Sequence, residues 1–114
     1  MVEEYKKVIL DYCKTHDGTS FAELNRVFGE AGLDFKGDRF ISHADYENVI
    51  IWYGWSDDAV TAFHELFGDK IILEPCPPFI YFLDGMVPGY PLAKRAQSYK
   101  SPHWTPYWIQ MKKD

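Results

Sequence analysis

Four histidines, two cysteines and a few adjacent carboxylates are the side chains of this sequence that could bind a metal or do covalent chemistry. His16, His43, His64 and His103 never recur at an HxxxH or HxH spacing, which would set two imidazoles on one face of a helix or strand. His43-Ala44-Asp45 offers two ligands on one side of a strand, whereas a protein metal site takes three or four. Cys13 and Cys76 stand far apart, outside any CxxC pattern, and describe neither a disulfide framework nor a zinc site. Cys76 beside His103 would imitate a thiol nucleophile and its base, but prolines bracket the cysteine and nothing nearby activates it. Asp57-Asp58 follow Ser56, where acids at a helix start are explained by capping and not by acid–base work. No glycine arrangement cradles a phosphate. The expectation is a protein with no catalytic residues, no metal and no cofactor.

Two constellations suit binding instead. Trp52, Tyr53, Trp55, Asp57 and Asp58 place aromatics beside acids, and Trp and Tyr are enriched at interface hot spots. On a strand Trp52 and Tyr53 face opposite sides, so one enters the core while the other stays partly exposed. This group predicts contact with a basic protein partner or with a second copy of the chain. The second constellation is Lys94, Arg95, Tyr99, Lys100, His103 and Trp104, followed by Tyr107, Trp108, Lys112 and Lys113. Aromatics interleaved with cations can stack on unpaired bases while the cations hold phosphates, which makes single-stranded nucleic acid the alternative partner.

Charge separates the same regions. Residues 1–89 hold seven Lys and Arg against sixteen Asp and Glu, a balance of −9, while residues 90–114 carry +4. The basic segment either folds across its own acidic body or reaches an acidic partner.

The elements that must position these residues follow from periodicity. Tyr5, Val8, Ile9, Tyr12 and Cys13 give a helix over residues 3–15, stopped at Asp17-Gly18. Ser20 and Glu23 form a capping box for a second helix whose apolar face is Phe21, Leu24, Val27 and Phe28. Leu33 to Glu47 reads as an ordered loop, and Asn48 to Tyr53 as a strand ended by Gly54. Ser56 starts a third helix with Val60, Phe63, Leu66 and Phe67 on its buried face. Lys70–Glu74 and Phe79–Leu83 read as two strands of a hairpin across Pro75-Cys76-Pro77-Pro78. Residues 86–114 are rich in proline and aromatics and are expected to lie extended on a core of residues 1–85, with Tyr107–Met111 as a further strand. At 114 residues the whole is one domain.

The hairpin Ile71–Gly85, then Pro91-Leu92-Ala93-Lys94 and Tyr99-Lys100-Ser101-Pro102-His103-Trp104, resembles a pattern in small uncharacterised bacterial and phage proteins with winged-helix-like cores. The resemblance covers the second half of the chain and implies a fold but no activity. The fold expected is therefore α+β and winged-helix-like: three helices, a small antiparallel sheet and an extended C-terminal segment. Such a domain usually sets a basic helix in the major groove, yet the third helix carries Asp57, Asp58 and Glu65 and no Lys or Arg. Duplex docking by that helix is disfavoured. The N-terminus has no apolar signal core and no apolar run is long enough to span a bilayer, which leads to a cytoplasmic expectation. A non-catalytic interaction module, acting as a small regulator or inhibitor by binding another protein, is the function these features predict.

Overall fold

The structure, a computed structural model, describes residues 1–85, 88–95 and 97–113. The first two residues of the C-terminal segment, with Ala96 and Asp114, lie outside the described residues. Helix α1 (Val2–Thr15) buries Tyr5, Ile9 and Cys13, one residue per turn. Gly18 turns the chain at φ +74, and a Cβ there would stand 2.8 Å from the Trp108 ring. Glycine is thus required both by backbone conformation and by space. The two-residue strand β1 (Thr19–Ser20) follows, then α2 (Phe21–Glu30). The capping box forms as read: Ser20 Oγ accepts from Glu23 N at 3.0 Å, and Ser20 N donates to Glu23 Oε1 at 3.5 Å.

Residues 33–47 are not only a loop. Lys36–Ser42 form a strand, β2, paired antiparallel with β3 (Val49–Trp55). Only Ile41 of β2 is buried, so the strand lacks the alternation that would betray it. Pairing with β3 and a 2.7 Å ion pair from Arg39 to Asp57 hold it instead. Helix α3 (Asp57–Leu66) starts at the expected cap, where Ser56 Oγ accepts from Ala59 N at 3.3 Å.

The expected hairpin does not form. Strand β4 (Ile71–Pro75) is present, but Phe79–Leu83 is a short helix, α4. Pro78 sits at φ −57, ψ −29, and the carbonyls of Pro77 and Pro78 accept from Ile80 N and Tyr81 N. Proline is pre-set for this first turn, since it has no N–H to satisfy there. Fully buried Tyr81 anchors the helix: its hydroxyl donates to Tyr107 O at 2.6 Å and accepts from Phe21 N at 3.2 Å.

The place beside β4 is taken by β6 (Tyr107–Met111), which comes after the two-residue β5 (His103–Trp104). The described residues therefore hold four helices and two three-stranded sheets, in place of three helices and one sheet. The first sheet has the order β1-β6-β4 and is antiparallel throughout. The second has the order β2-β3-β5, with β5 parallel to β3. A chain of rings links α3, α2 and α4 to the second sheet: Phe63–Phe21 at 5.5 Å, Phe21–Trp52 at 6.0 Å, Trp52–Tyr81 at 5.3 Å and Tyr81–Trp104 at 5.1 Å. Each such pair adds to the stabilisation given by burying its area.

Candidate functional site

The aromatic and acidic cluster divides once it folds. Trp52 and Trp55 are 2% and 1% exposed, so no partner reaches them, and the contact role read for them from sequence does not hold. Trp55 Nε1 instead donates to Asn25 Oδ1 at 2.6 Å inside the core. Tyr53 is half-buried and lies between Phe40, stacked at 5.8 Å, and Tyr90, edge-on at 5.3 Å. Asp57 is exposed and engaged by Arg39, while Asp58 is partly exposed in the first turn of α3.

In the basic segment Trp104 is 3% exposed and part of the core, so it offers no stacking face. Lys94, Arg95 and Lys100 are exposed, and none forms an ion pair among the described residues. Tyr99 organises the stretch. Its hydroxyl accepts from the backbone N–H of Lys94 and of Arg95, each at 3.1 Å, and its ring stacks on His103 at 3.8 Å. The stretch is strapped to the β2–β3 connection: Tyr99 N donates to Glu47 O, and Asn48 Nδ2 donates to Tyr99 O at 2.8 Å.

The chemically active residue types are quiet. Burial pushes the Cys13 thiol up to about 11, with a Thr19 hydrogen bond pulling weakly the other way. Burial, then the Asp84 charge, does the same for Cys76. A thiol at that value is protonated at neutral pH and unreactive. His103 shares its Nδ1 with Ser101 O at 2.8 Å, and no hydrogen bond joins it to Cys76. Among the described residues no group of three or more His, Cys, Asp or Glu is placed to hold a metal ion. No helix among them is long and apolar enough to cross a membrane.

Two features escaped the sequence reading. The first is α4, whose Phe79, Phe82 and Leu83 are 55%, 65% and 76% exposed. Their i, i+3, i+4 spacing puts all three on one face of the helix. The signal was present as five consecutive apolar residues after a double proline, but a strand assignment hid the face.

The second is a cleft of about 470 Å³ against which both sheets and α3 place side chains. Ile41, Ile51, Phe63, Phe67, Leu73 and Tyr107 make it largely apolar, and His43, Asp45 and His64 are its ionisable members. A smaller cavity of about 210 Å³ shares His43 and Tyr107 with it and adds Lys94 and Arg95. The His43 amide donates to Val49 O at 2.8 Å, and its Nδ1 accepts from Asp45 N at 3.1 Å. That bond leaves the proton of the neutral ring on Nε2. Burial, with the nearby Tyr46 phenol, holds the Tyr107 hydroxyl protonated above its ordinary range. No family model, curated protein or solved structure matches this chain.

Proposed function

We propose that this chain is a non-catalytic interaction module, a small regulator or inhibitor that binds another protein, with the exposed face of α4 as its anchor. The observation that carries the reading is the placing of Phe79, Phe82 and Leu83 on one helix face, all more than half exposed. Contiguous exposed apolar surface on a small domain marks an interaction site. A stable two-fold dimer buries about 800 Å² per partner, more than one convex turn of helix supplies against its own copy. A groove on a different protein wraps such a turn, as in helix-in-groove recognition. The −9 balance of residues 1–89 suits a partner whose rim around that groove is basic.

Tyr53, with Phe40 and Tyr90 and the neighbouring Asp57 and Asp58, is a second contact area in this reading. The outer edge of β2 is not. Its register shifts at three places along seven residues, and Lys36 and Arg39 lie on it. Bulges and edge charges are the devices by which native strands resist strand addition.

For the core we infer a winged-helix-like relationship. It is supported by β1 lying between the first two helices, and by β4 and β6 pairing after α3. The described residues between β4 and β6 then occupy the position of the wing. The acidic α3 still opposes duplex binding. Single-stranded nucleic acid at Lys94, Arg95, Tyr99, Lys100 and His103 is the alternative, favoured by three exposed cations that form no ion pair among the described residues. Two unpaired, buried thiols fit a reducing compartment, and we place the module in the cytoplasm.

The test begins with affinity capture from the native host and purification of the captured protein. Titration then compares the parent chain with Phe79→Ser/Phe82→Ser, whose side chains are exposed, so that far-UV circular dichroism stays unchanged. Binding at least tenfold weaker is expected for the loss of two anchors. Equal affinity for the two proteins would sink the α4 reading. Salt-dependent binding of oligonucleotides in place of any protein complex would move the function to the alternative.

A further inference from the structure

We propose that the cleft between the two sheets is a binding site for a small amphipathic carboxylate, with its apolar body against Phe63, Leu73 and Tyr107 and its carboxylate at Lys94 and Arg95. This site is separate from α4 and does not depend on the protein-binding reading. Its volume of about 470 Å³ falls in the range of small-molecule pockets, which are mostly apolar with a few convergent polar groups. The smaller cavity borders it, since His43 and Tyr107 line both, and the proposed ligand passes between those two side chains.

Charge decides the chemistry of the occupant. Asp45 is the carboxylate lining the larger cavity, and it does not line the smaller one. Lys94 and Arg95 line the smaller cavity, are exposed and have no carboxylate partner among the described residues. An anionic head is therefore repelled at one end and attracted at the other, which fixes the direction in which the ligand lies. His43, with its neutral-ring proton on Nε2, adds a donor at the junction.

The backbone that carries the two cations is also held in place. The Tyr99 hydroxyl takes the amide protons of Lys94 and Arg95, and Tyr99 is itself tied to Glu47 and Asn48. The turn that carries them is thus anchored to the β2–β3 connection. A surface whose cations served only solubility would not need this scaffold. Tyr99 is a positioning residue in this proposal, acting through the two cations.

Octanoate and its neutral isostere octanamide are the probes, titrated into the full chain with backbone amide resonances as the readout. Octanoate is expected to shift the amides of Ile51, Leu73, Lys94 and Tyr107. Octanamide should bind about fivefold more weakly, the scale of two solvent-exposed charge contacts. The double variant Lys94→Ala/Arg95→Ala should bind both probes equally, with the amides of α1 and α2 unmoved as a check on folding. Tyr99→Phe keeps both charges but frees the turn, and is expected to lose part of the preference. Equal binding of the two probes by the parent chain overturns the proposal. So does a response confined to α4, or the absence of any response at about 10 mM probe, the level of very weak binding.

Discussion

Burial holds the thiols of Cys13 and Cys76 protonated up to about pH 11, against 9.0 for the exposed group. The unfolded chain sheds these protons from about pH 9, while the folded chain keeps them for two further pH units. Over that window the unfolded state binds fewer protons, so stability falls as pH rises, and it is fully present below about pH 9. Two pKa units bound the loss at about 3 kcal/mol for Cys13, and solvent screening makes it smaller for the less deeply buried Cys76. The buried Tyr81 hydroxyl, raised mainly by desolvation, acts in the same direction at higher pH. Urea midpoints measured from pH 8 to 10.5 should therefore decline, and less steeply in Cys13→Ala than in the parent chain. An identical slope in both would show that Cys13 titrates freely when folded. Residue identity alone conveyed little of this. Trp52 and Trp55 belong by type to a contact group as readily as to a core, because tryptophan is enriched at interfaces and is also highly buried on average. Only the ring contacts to Phe21 and Phe28 place them inside.

At the scale of elements, the helices with local signals were legible and the strands without them were not. Both serine caps stand where the sequence put them, since capping needs only residues three apart. They are not equivalent. Ser20 is fully buried, caps α2 and also donates to Asp84 Oδ2 at 2.5 Å, whereas Ser56 caps α3 through one bond of 3.3 Å. Ser20→Ala should cost about 2 kcal/mol and Ser56→Ala about 1 kcal/mol, read from urea midpoints. Equal costs would mean that the Ser20–Asp84 contact contributes nothing. By contrast β1 is two residues long, β2 is almost wholly exposed, and Phe79–Leu83 has strand-type residues but no free strand to pair with. β2 pairs with the next strand and is hidden by its exposure, whereas for β1 and Phe79–Leu83 the deciding partner lies far away in sequence. The candidate cleft was invisible for the same reason: its lining runs from Ile41 to Tyr107 and shows no spacing that a local reading detects.

Across the whole molecule, the C-terminal segment is what joins the parts. β6 is the central strand of the first sheet, pairing with β1 at Thr19↔Ile109 and with β4 at Leu73↔Ile109. β5 extends the second sheet through Val49↔His103 and Ile50↔Trp104. Without β6, both β1 and β4 lose the ladder that places them in the sheet, and Tyr81 loses the Tyr107 carbonyl to which its buried hydroxyl donates. A buried polar group left unpaired costs about 1–3 kcal/mol, and fully buried Ile109 takes a comparable amount of burial energy with it. Together these come to about 2–6 kcal/mol, before the lost ladders are counted, and reach the lower end of the 5–15 kcal/mol that holds a domain folded. Truncation before Tyr107 should therefore abolish cooperative unfolding by circular dichroism. Truncation after Met111 should cost about 1 kcal/mol, for the bonds of Lys112 to Lys70 O and Gly68 O. A cooperative transition in the shorter chain would mean that residues 1–106 form a self-sufficient core. The β1-β6 pairing joins Thr19 to Ile109, far apart in the chain, so the first sheet closes only after β6 exists. Folding should accordingly be slow for a domain with this much helix.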